Sequence, residues 1–128
     1  MSFSQQIKQF RLKTEEQARQ FVIKLGFDLF MRIVDRSPVD TGRFRANNQI
    51  SINSLPQDAV METDASGNAT IRQGNQEINS FNLGDTVFLF NNLEYALPLE
   101  YGHSGQAPQG IYRISFEEII NHLSRYAQ

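Results

Sequence analysis

Three consecutive residues, Asp40-Thr41-Gly42, match the triplet that supplies the catalytic carboxylate of aspartic proteases. Those enzymes bring two carboxylates together so that the pair shares one proton and activates a water. Such a triplet must lie in a tight loop after an apolar strand. Here it follows a helical pattern and a proline, and the basic residues of segment 43–45 would crowd a water-binding pair. The triplet therefore favours a structural turn begun by Pro38, with Gly42 at positive φ and Asp40 and Thr41 accepting local backbone hydrogen bonds.

The other candidates for chemistry are two histidines. Glu100 and His103 have the Glu-x-x-His spacing of di-iron bundles, but that site needs the spacing twice and two further Glu, and Gly102 interrupts a helix here. His122 has no evident partner. The absence of Cys excludes thiolate metal sites, and the chain has no glycine-rich phosphate loop or Ser-His-Asp arrangement. We therefore expect no enzymatic activity, no cofactor and no metal.

The length and composition indicate one folded domain, residues 1–128. Hydrophobic residues make up 40% of the chain and charged residues 20%, which is typical of a globular protein. A chain of this length is too short for two independent cores. No charged segment leads into a short apolar run with a cleavage site, and no apolar run is long enough to cross a membrane. We therefore expect synthesis in the cytoplasm and no membrane partner.

The charges divide unevenly along the chain. Residues 1–45 contain nine Lys or Arg against five acidic residues, a net charge of +4, whereas residues 46–128 contain three against nine, a net charge of −6. The two halves can attract each other within one molecule or between neighbours, although a solvated surface would also explain the division. A protein that reads duplex DNA would carry a concentrated basic face, so general DNA binding is not expected.

The N-terminal third has the apolar spacing of a helix from residue 4 to residue 36. Thr14-Glu15-Glu16-Gln17 fits a capping box, so a second helix beginning at Glu15, with residues 3–12 as a separate arm, is equally consistent with the pattern. Within it, residues 21–34 are apolar except for a narrow stripe of Lys24, Asp28 and Arg32. Such a helix is covered on more than one side, either inside one domain or by a neighbouring subunit.

The remaining segments predict a small sheet and two further helices. Pro38 ends the first helix. Strands are expected at Asn48–Ile52 and Thr86–Asn91, with a hairpin of weaker strands on either side of the 64–68 turn, so that the sheet region spans 45–91. Region 92–112 holds a loop and a short helix that is capped by Asn92 and ends with Gly102 in a left-handed conformation. A capping box at Ser115 opens a last helix over 115–126. The predicted fold class is α+β: a long N-terminal helix, a small and mostly antiparallel sheet, and a short central helix and C-terminal helix packed on the sheet.

Three motifs follow one another outside the polar middle of the chain. The residues that define them are Pro38, Thr41, Gly42, Arg43 and Arg45, then Asn91, Asn92, Tyr95, Ala96, Leu99, Glu100 and Gly102, then Gln106, Ala107, Pro108 and Gly110. In this order they resemble the HK97 gp10-like family of tailed-bacteriophage tail-completion and neck (head-tail joining) proteins. Phe44 stands where an aliphatic residue is common in that family, and residues 54–85 carry little of the pattern.

The resemblance implies a structural virion protein, synthesised in the host bacterial cytoplasm, that forms a ring at the head-proximal end of the tail. The implied partners are other copies of the chain in a six-fold ring or a multiple of it, the tail tube or tail terminator, and head-tail connector proteins. DNA would cross the lumen without sequence-specific binding. Two alternatives stay open: a tail terminator or head-tail stopper of the same geometry, and a cytoplasmic adaptor that binds a peptide at a sheet edge.

Candidate contact residues for a neighbouring subunit or neck partner come from the apolar helix and from the motifs. Head-to-tail contacts of this kind close into a ring when the rotation between copies permits. The candidates are Phe21, Leu25, Arg43 and Arg45 at the start of the first strand, Tyr95, Glu100, Tyr101, His103 and Gln106.

Overall fold

The secondary structure is mixed helix and sheet, as seen in a computed structural model that describes residues 14–94, 96–102 and 104–123. The elements follow in the order α1 (Glu15–Arg36), α2 (Arg43–Ala46), β1 (Asn48–Ile52), α3 (Asn68–Ile78), β2 (Val87–Asn91), α4 (Ala96–Glu100) and α5 (Tyr112–Asn121). The predicted α+β class is therefore confirmed.

Helix α1 begins at Glu15 because Thr14 caps it. Thr14 has extended backbone angles, φ −133° and ψ 158°, and its side-chain oxygen accepts a hydrogen bond from the Gln17 N–H at 3.0 Å. A single helix running through residue 14 is therefore excluded, and the second of the two predicted arrangements is correct for the described residues. Residues 4–13 of the predicted helix lie outside them. The helix ends before Pro38, where Ser37 is extended and donates its N–H to the Ile33 carbonyl at 3.0 Å.

Strands β1 and β2 pair antiparallel, as predicted, with Asn48 opposite Asn91 and Ile52 opposite Val87. Side chains alternate between the two faces of a strand, so Ile50 and Leu89 lie on the same face as the four residues of these end pairs. We call this the inner face. The inner face packs on α1, while Phe88 and Phe90 lie half-buried on the outer face.

Helix α1 lies between two apolar clusters. One joins Phe30 and Val34 to Ile50, Ile78 and Phe81, and the other joins Ile33 to Phe44, Leu93, Ala107 and Ile111. Every apolar side chain from position 21 to position 34 is buried or half-buried. Packing within one molecule therefore accounts for the apolar excess of this helix, which was one of the two predicted explanations.

Helix α3 replaces the predicted hairpin, which was wrong. The Asp64 carboxylate accepts hydrogen bonds from the Thr70 N–H at 2.8 Å and from the Thr70 hydroxyl at 2.7 Å, so the predicted turn is the start of a helix. Ile71, Gly74 and Ile78 then face inward with helical spacing. Gly74 lets the helix approach α1 closely, since a Cβ there would lie 2.4 Å from the Phe30 ring. The sheet region 45–91 thus contains only two strands among its described residues.

The last helix begins at Tyr112, three residues before the predicted capping box, and it ends at Asn121 rather than 126. Residues 124–126 lie outside the described residues. Ser115 cannot cap this helix because it is buried inside it, where its hydroxyl donates to the Ile111 carbonyl at 2.6 Å. Helix α5 packs mainly on α1, and the Tyr112 hydroxyl reaches Asn48 of the sheet at 2.7 Å.

Two other local predictions need correction. Arg43 and Arg45 lie in the short helix α2 rather than at the start of the first strand. Asn92 does not cap the short helix; its amide nitrogen donates to the carbonyls of Pro56 and Asp58. The helix that follows is α4, only five residues long.

Candidate functional site

The turn of residues 38–42 meets the loop of residues 104–110 at a surface cleft of about 560 Å³. Gln106 holds the two together: its side-chain oxygen accepts from the Val39 N–H at 2.9 Å, and its amide nitrogen donates to the Val39 carbonyl at 3.1 Å. The cleft walls also include Asp40, Arg43 and Leu99. Two sequence motifs that lie 67 residues apart are therefore joined at one place.

The turn has the predicted structural character at two of its three key residues. Gly42 has φ of 91°, and a Cβ there would lie 2.5 Å from the Ala65 nitrogen, so this position requires glycine. The Thr41 hydroxyl accepts from the Arg43 N–H at 3.2 Å, as expected. The Asp40 side chain is exposed and accepts no hydrogen bond within the described part of the chain, contrary to the expectation.

The cleft is lined by one carboxylate, from Asp40, and one guanidinium, from Arg43. An acid pair that shares a proton needs two carboxylates. No group of three or more His, Cys, Asp or Glu able to hold a metal occurs among residues 14–94, 96–102 and 104–123. The cleft therefore presents one charge of each sign beside apolar walls.

Arg43 and Arg45 differ in how their guanidinium groups are used. Arg45 donates to the carbonyls of Ala65, Asp35 and Ser37 at 2.9, 3.3 and 2.9 Å, which ties the end of α1 to the start of α3. The Nη2 of Arg43 lies 3.9 Å from the Met61 sulfur, and its Nε is buried without a hydrogen-bond partner in the described structure. The Nε of Arg45 is likewise buried without a partner among the described residues, so the two arginines differ in that Arg43 lines the cleft and Arg45 does not.

Glu100 caps the N-terminus of α5. Its carboxylate accepts from the backbone N–H groups of Ile111, Tyr112 and Arg113 at 3.1, 2.7 and 3.1 Å. A helix N-terminus has unsatisfied N–H groups and a positive dipole end, so a carboxylate is stabilising there. Burial of the Tyr112 hydroxyl raises its pKa, and the nearby negative charge of Glu100 raises it further. The sequence suggested Glu100 for contacts between subunits, but in the structure its carboxylate forms these hydrogen bonds within one molecule.

Two glycines allow the chain to fold back around this cap. Gly102 has φ of 84°, as predicted, and a Cβ there would lie 2.4 Å from the Pro108 carbonyl oxygen. Gly110 has φ of 90°, and a Cβ there would lie 2.5 Å from the Glu100 carbonyl oxygen. Helix α4, its following loop and the start of α5 therefore form one tightly folded unit.

The remaining interface candidates occupy different environments. Phe21 is buried, with 6% of its surface exposed, and Leu25 is half-buried. Tyr101 is 73% exposed, and the nearby Leu97 is 62% exposed although the sequence did not single it out. Tyr95 and His103 lie outside the described residues.

Sequence reasoning missed Asn47, which is fully buried. Its side chain accepts from the Val60 N–H at 2.7 Å and donates to the Val60 carbonyl at 3.1 Å, in the same two-way pairing that Gln106 makes with Val39. No local pattern identifies such a residue, because its partner lies 13 positions away in an irregular segment.

Comparison with protein-family models, with curated proteins and with solved structures gave no match for this chain. Within the described ranges, no helix has both the length and the apolar character needed to cross a membrane.

Proposed function

We propose that this protein is a structural component of a tailed-bacteriophage virion, a tail-completion or neck subunit. It forms a ring at the head-proximal end of the tail and helps to join the head to the tail. The observation that carries the proposal is that the three motifs resembling the tail-completion family, although distant in sequence, depend on one another in space.

This dependence is seen in the hydrogen bonds between motifs. Gln106 of the third motif holds Val39 in the first. Asn91 of the second motif donates to the Phe44 carbonyl of the first at 2.9 Å, and Glu100 caps the helix that follows the third. The three motifs, which are separate in sequence, therefore form one connected unit in the folded chain.

The exposed chemistry near this unit suits contacts between subunits. Leu97 and Tyr101 are one helical turn apart and are both largely exposed, and the Arg43 side chain lines the cleft. Exposed apolar groups beside polar ones are typical of a protein contact surface. The partners of such surfaces would be further copies of the chain, the tail tube or terminator, and connector proteins.

Deletion of the gene in the phage that encodes it tests the proposal. Particles without the protein should show DNA-filled heads and tail tubes that fail to join, or tails of faulty length, in electron micrographs. A ring at the head-proximal end of tails, absent from the mutant, is the expected result, and the position of that ring along the tail axis separates a tail-completion role from a terminator or stopper role. Full infectivity of the deletion mutant would refute the proposal.

A second candidate function is a cytoplasmic adaptor that binds a peptide at a sheet edge. The observation that favours it is the unpaired outer edge of β1 in a sheet of two described strands. An adaptor would form no ring in micrographs, so the same imaging distinguishes the two functions.

A further inference from the structure

A groove of about 490 Å³ runs along the outer edge of β1. All five residues of β1, Asn48–Ile52, line it, although the side chains of a strand point alternately to opposite faces. Only the backbone edge of a strand presents every residue to one groove. The groove is therefore a channel beside the strand, with its backbone as one wall.

The hydrogen-bonding groups on this wall are free among the described residues. The Asn53 N–H donates to the Thr86 carbonyl at 2.8 Å, which makes positions 53, 51 and 49 the ones that face β2. The backbone groups of Asn48, Ile50 and Ile52 then point into the groove, and none has a hydrogen-bond partner in the described structure. A row of unpaired N–H and C=O groups is a template for another strand.

Helix α3 forms the opposite wall through Gln73, Gly74 and Glu77. The close contact of Gly74 with Phe30 fixes this wall against α1. A second sheet could not approach β1 past the helix, so the space fits a single extended segment. Glu77 is the one charged residue in the lining, which favours a basic occupant.

We propose that the groove receives residues 1–13 of a second copy of this chain. That segment contains Lys8, Arg11 and Lys13 and no acidic residue. Phe10-Arg11-Leu12-Lys13 alternates apolar and basic side chains, which is the pattern of a half-buried strand. Its charge and its pattern therefore complement the groove.

The described chain begins close to one end of a groove. Arg19, near the start of α1, donates to the carbonyls of Asn79 and Phe81 at 2.8 Å each, so the described chain begins beside the end of α3 where the groove opens at Ser80. Thirteen extended residues reach about 45 Å. Each copy has one segment and one groove, so the contact is head-to-tail and repeats around a closed ring. This inference rests on the ring of the proposed function.

Cross-linking tests the contact, because the chain has no native Cys. Virions are prepared with the double variant Gln9→Cys, Gln73→Cys, oxidised and run on a non-reducing gel. We expect a ladder of covalent multimers. The matched control, Gln9→Cys with Gln76→Cys, places the second thiol at an exposed α3 position outside the groove lining and should give at least tenfold less ladder. Adding Glu77→Lys to the first pair should lower its yield by about threefold, the effect of one exposed charge pair.

Four outcomes overturn the inference. A disulfide confined to single chains assigns the groove to the molecule's own segment, and equal yields in the pair and the control mean non-specific collision. No disulfide in virions that contain the ring leaves the ring proposal standing and removes this contact. A virion partner cross-linked through the thiol introduced at position 73, in place of a second copy, identifies a different occupant. Absence of the protein from virions refutes the proposed function instead; the same oxidation of concentrated purified protein then tests the contact alone, and a lack of multimers there removes it.

Discussion

Arg36 and Glu118 form a two-pronged ion pair between α1 and α5, with each guanidinium nitrogen 2.8 Å from a different carboxylate oxygen. Arg32 approaches the same carboxylate at 3.4 Å, and Arg36 also donates to the Ser115 hydroxyl at 2.9 Å. The basic and acidic halves of the sequence therefore attract each other within one molecule at this place.

The first prediction concerns the pH dependence of stability. The pKa of Glu118 lies below its ordinary value of 4.5, chiefly because its carboxylate accepts a hydrogen bond from Arg36. The positive charges of Arg36 and Arg32 lower this pKa further, and together these effects outweigh burial, which raises it. A carboxyl group with a depressed folded-state pKa contributes stability above its unfolded pKa and loses it as the pH falls through the folded pKa. Glu118→Gln should lower the free energy of unfolding by about 1 kcal/mol at pH 7, with a smaller difference from wild type below about pH 4.

Urea denaturation at pH 7 and at pH 3 measures both effects. Glu117→Gln is the control, because Glu117 pairs with Arg113 at a more exposed position and should change stability by less than about 0.5 kcal/mol. Equal losses for Glu118→Gln at the two pH values would contradict the prediction.

The second prediction concerns the cap made by Glu100. Glu100→Gln removes the negative charge from the N-terminus of α5 and leaves one oxygen for three N–H groups. The free energy of unfolding should fall by about 1 kcal/mol, and the amides of Ile111–Arg113 should exchange faster with deuterium. Glu94→Gln, at an exposed position, is the control. A defect in assembly without a change in stability would restore Glu100 as a contact residue.

The third prediction concerns Gln106. Gln106→Glu keeps the acceptor for the Val39 N–H but replaces the donor with an oxygen that faces the Val39 carbonyl. Stability should fall by about 1 kcal/mol, whereas Gln109→Glu in the same loop should be near neutral. Thermal unfolding of the two variants compares them directly, and equal melting temperatures would show that the bridge between the motifs contributes nothing.

The fourth prediction is that Asp40 has no catalytic role. Because the side chain is exposed and accepts no hydrogen bond in the described structure, Asp40→Asn should change stability by less than about 0.5 kcal/mol. Peptidase assays on the wild type and the variant should both be negative. Activity in the wild type that disappears in the variant would overturn the structural interpretation of the triplet.

The fifth prediction separates assembly from folding at Arg43. Arg43→Glu should reduce infectivity and ring formation far more than it lowers the melting temperature, because a surface charge pair contributes only about 0 to 1 kcal/mol but a ring repeats it at every interface. Arg72→Glu, an equal charge reversal on the exposed side of α3, is the control. Intact infectivity in the Arg43 variant would remove this residue from the interface.

Sequence patterns predicted the parts of the fold that depend on neighbouring residues. Thr14 caps helix α1 by accepting from the N–H three residues on, Gly42 and Gly102 adopt positive φ, and the two strands lie where the sequence predicts them. The errors occurred where a distant residue decides the outcome. Ser115 and Glu118 have the spacing of a capping box. In the structure, however, the Glu118 carboxylate pairs with Arg36, which lies 82 positions away, and Glu100 caps the helix instead.

The backbone path of residues 54–63 is fixed by side chains that lie outside this segment. Asn92 donates to the carbonyls of Pro56 and Asp58, and Asn47 pairs with the backbone of Val60, so the side chains of the segment contribute little to its course. Its side chains are largely exposed, including Met61. Mutations there therefore meet little structural resistance, whereas a change at Asn47 would release the stretch at Val60. Such a stretch can therefore change in sequence while its backbone keeps the same path.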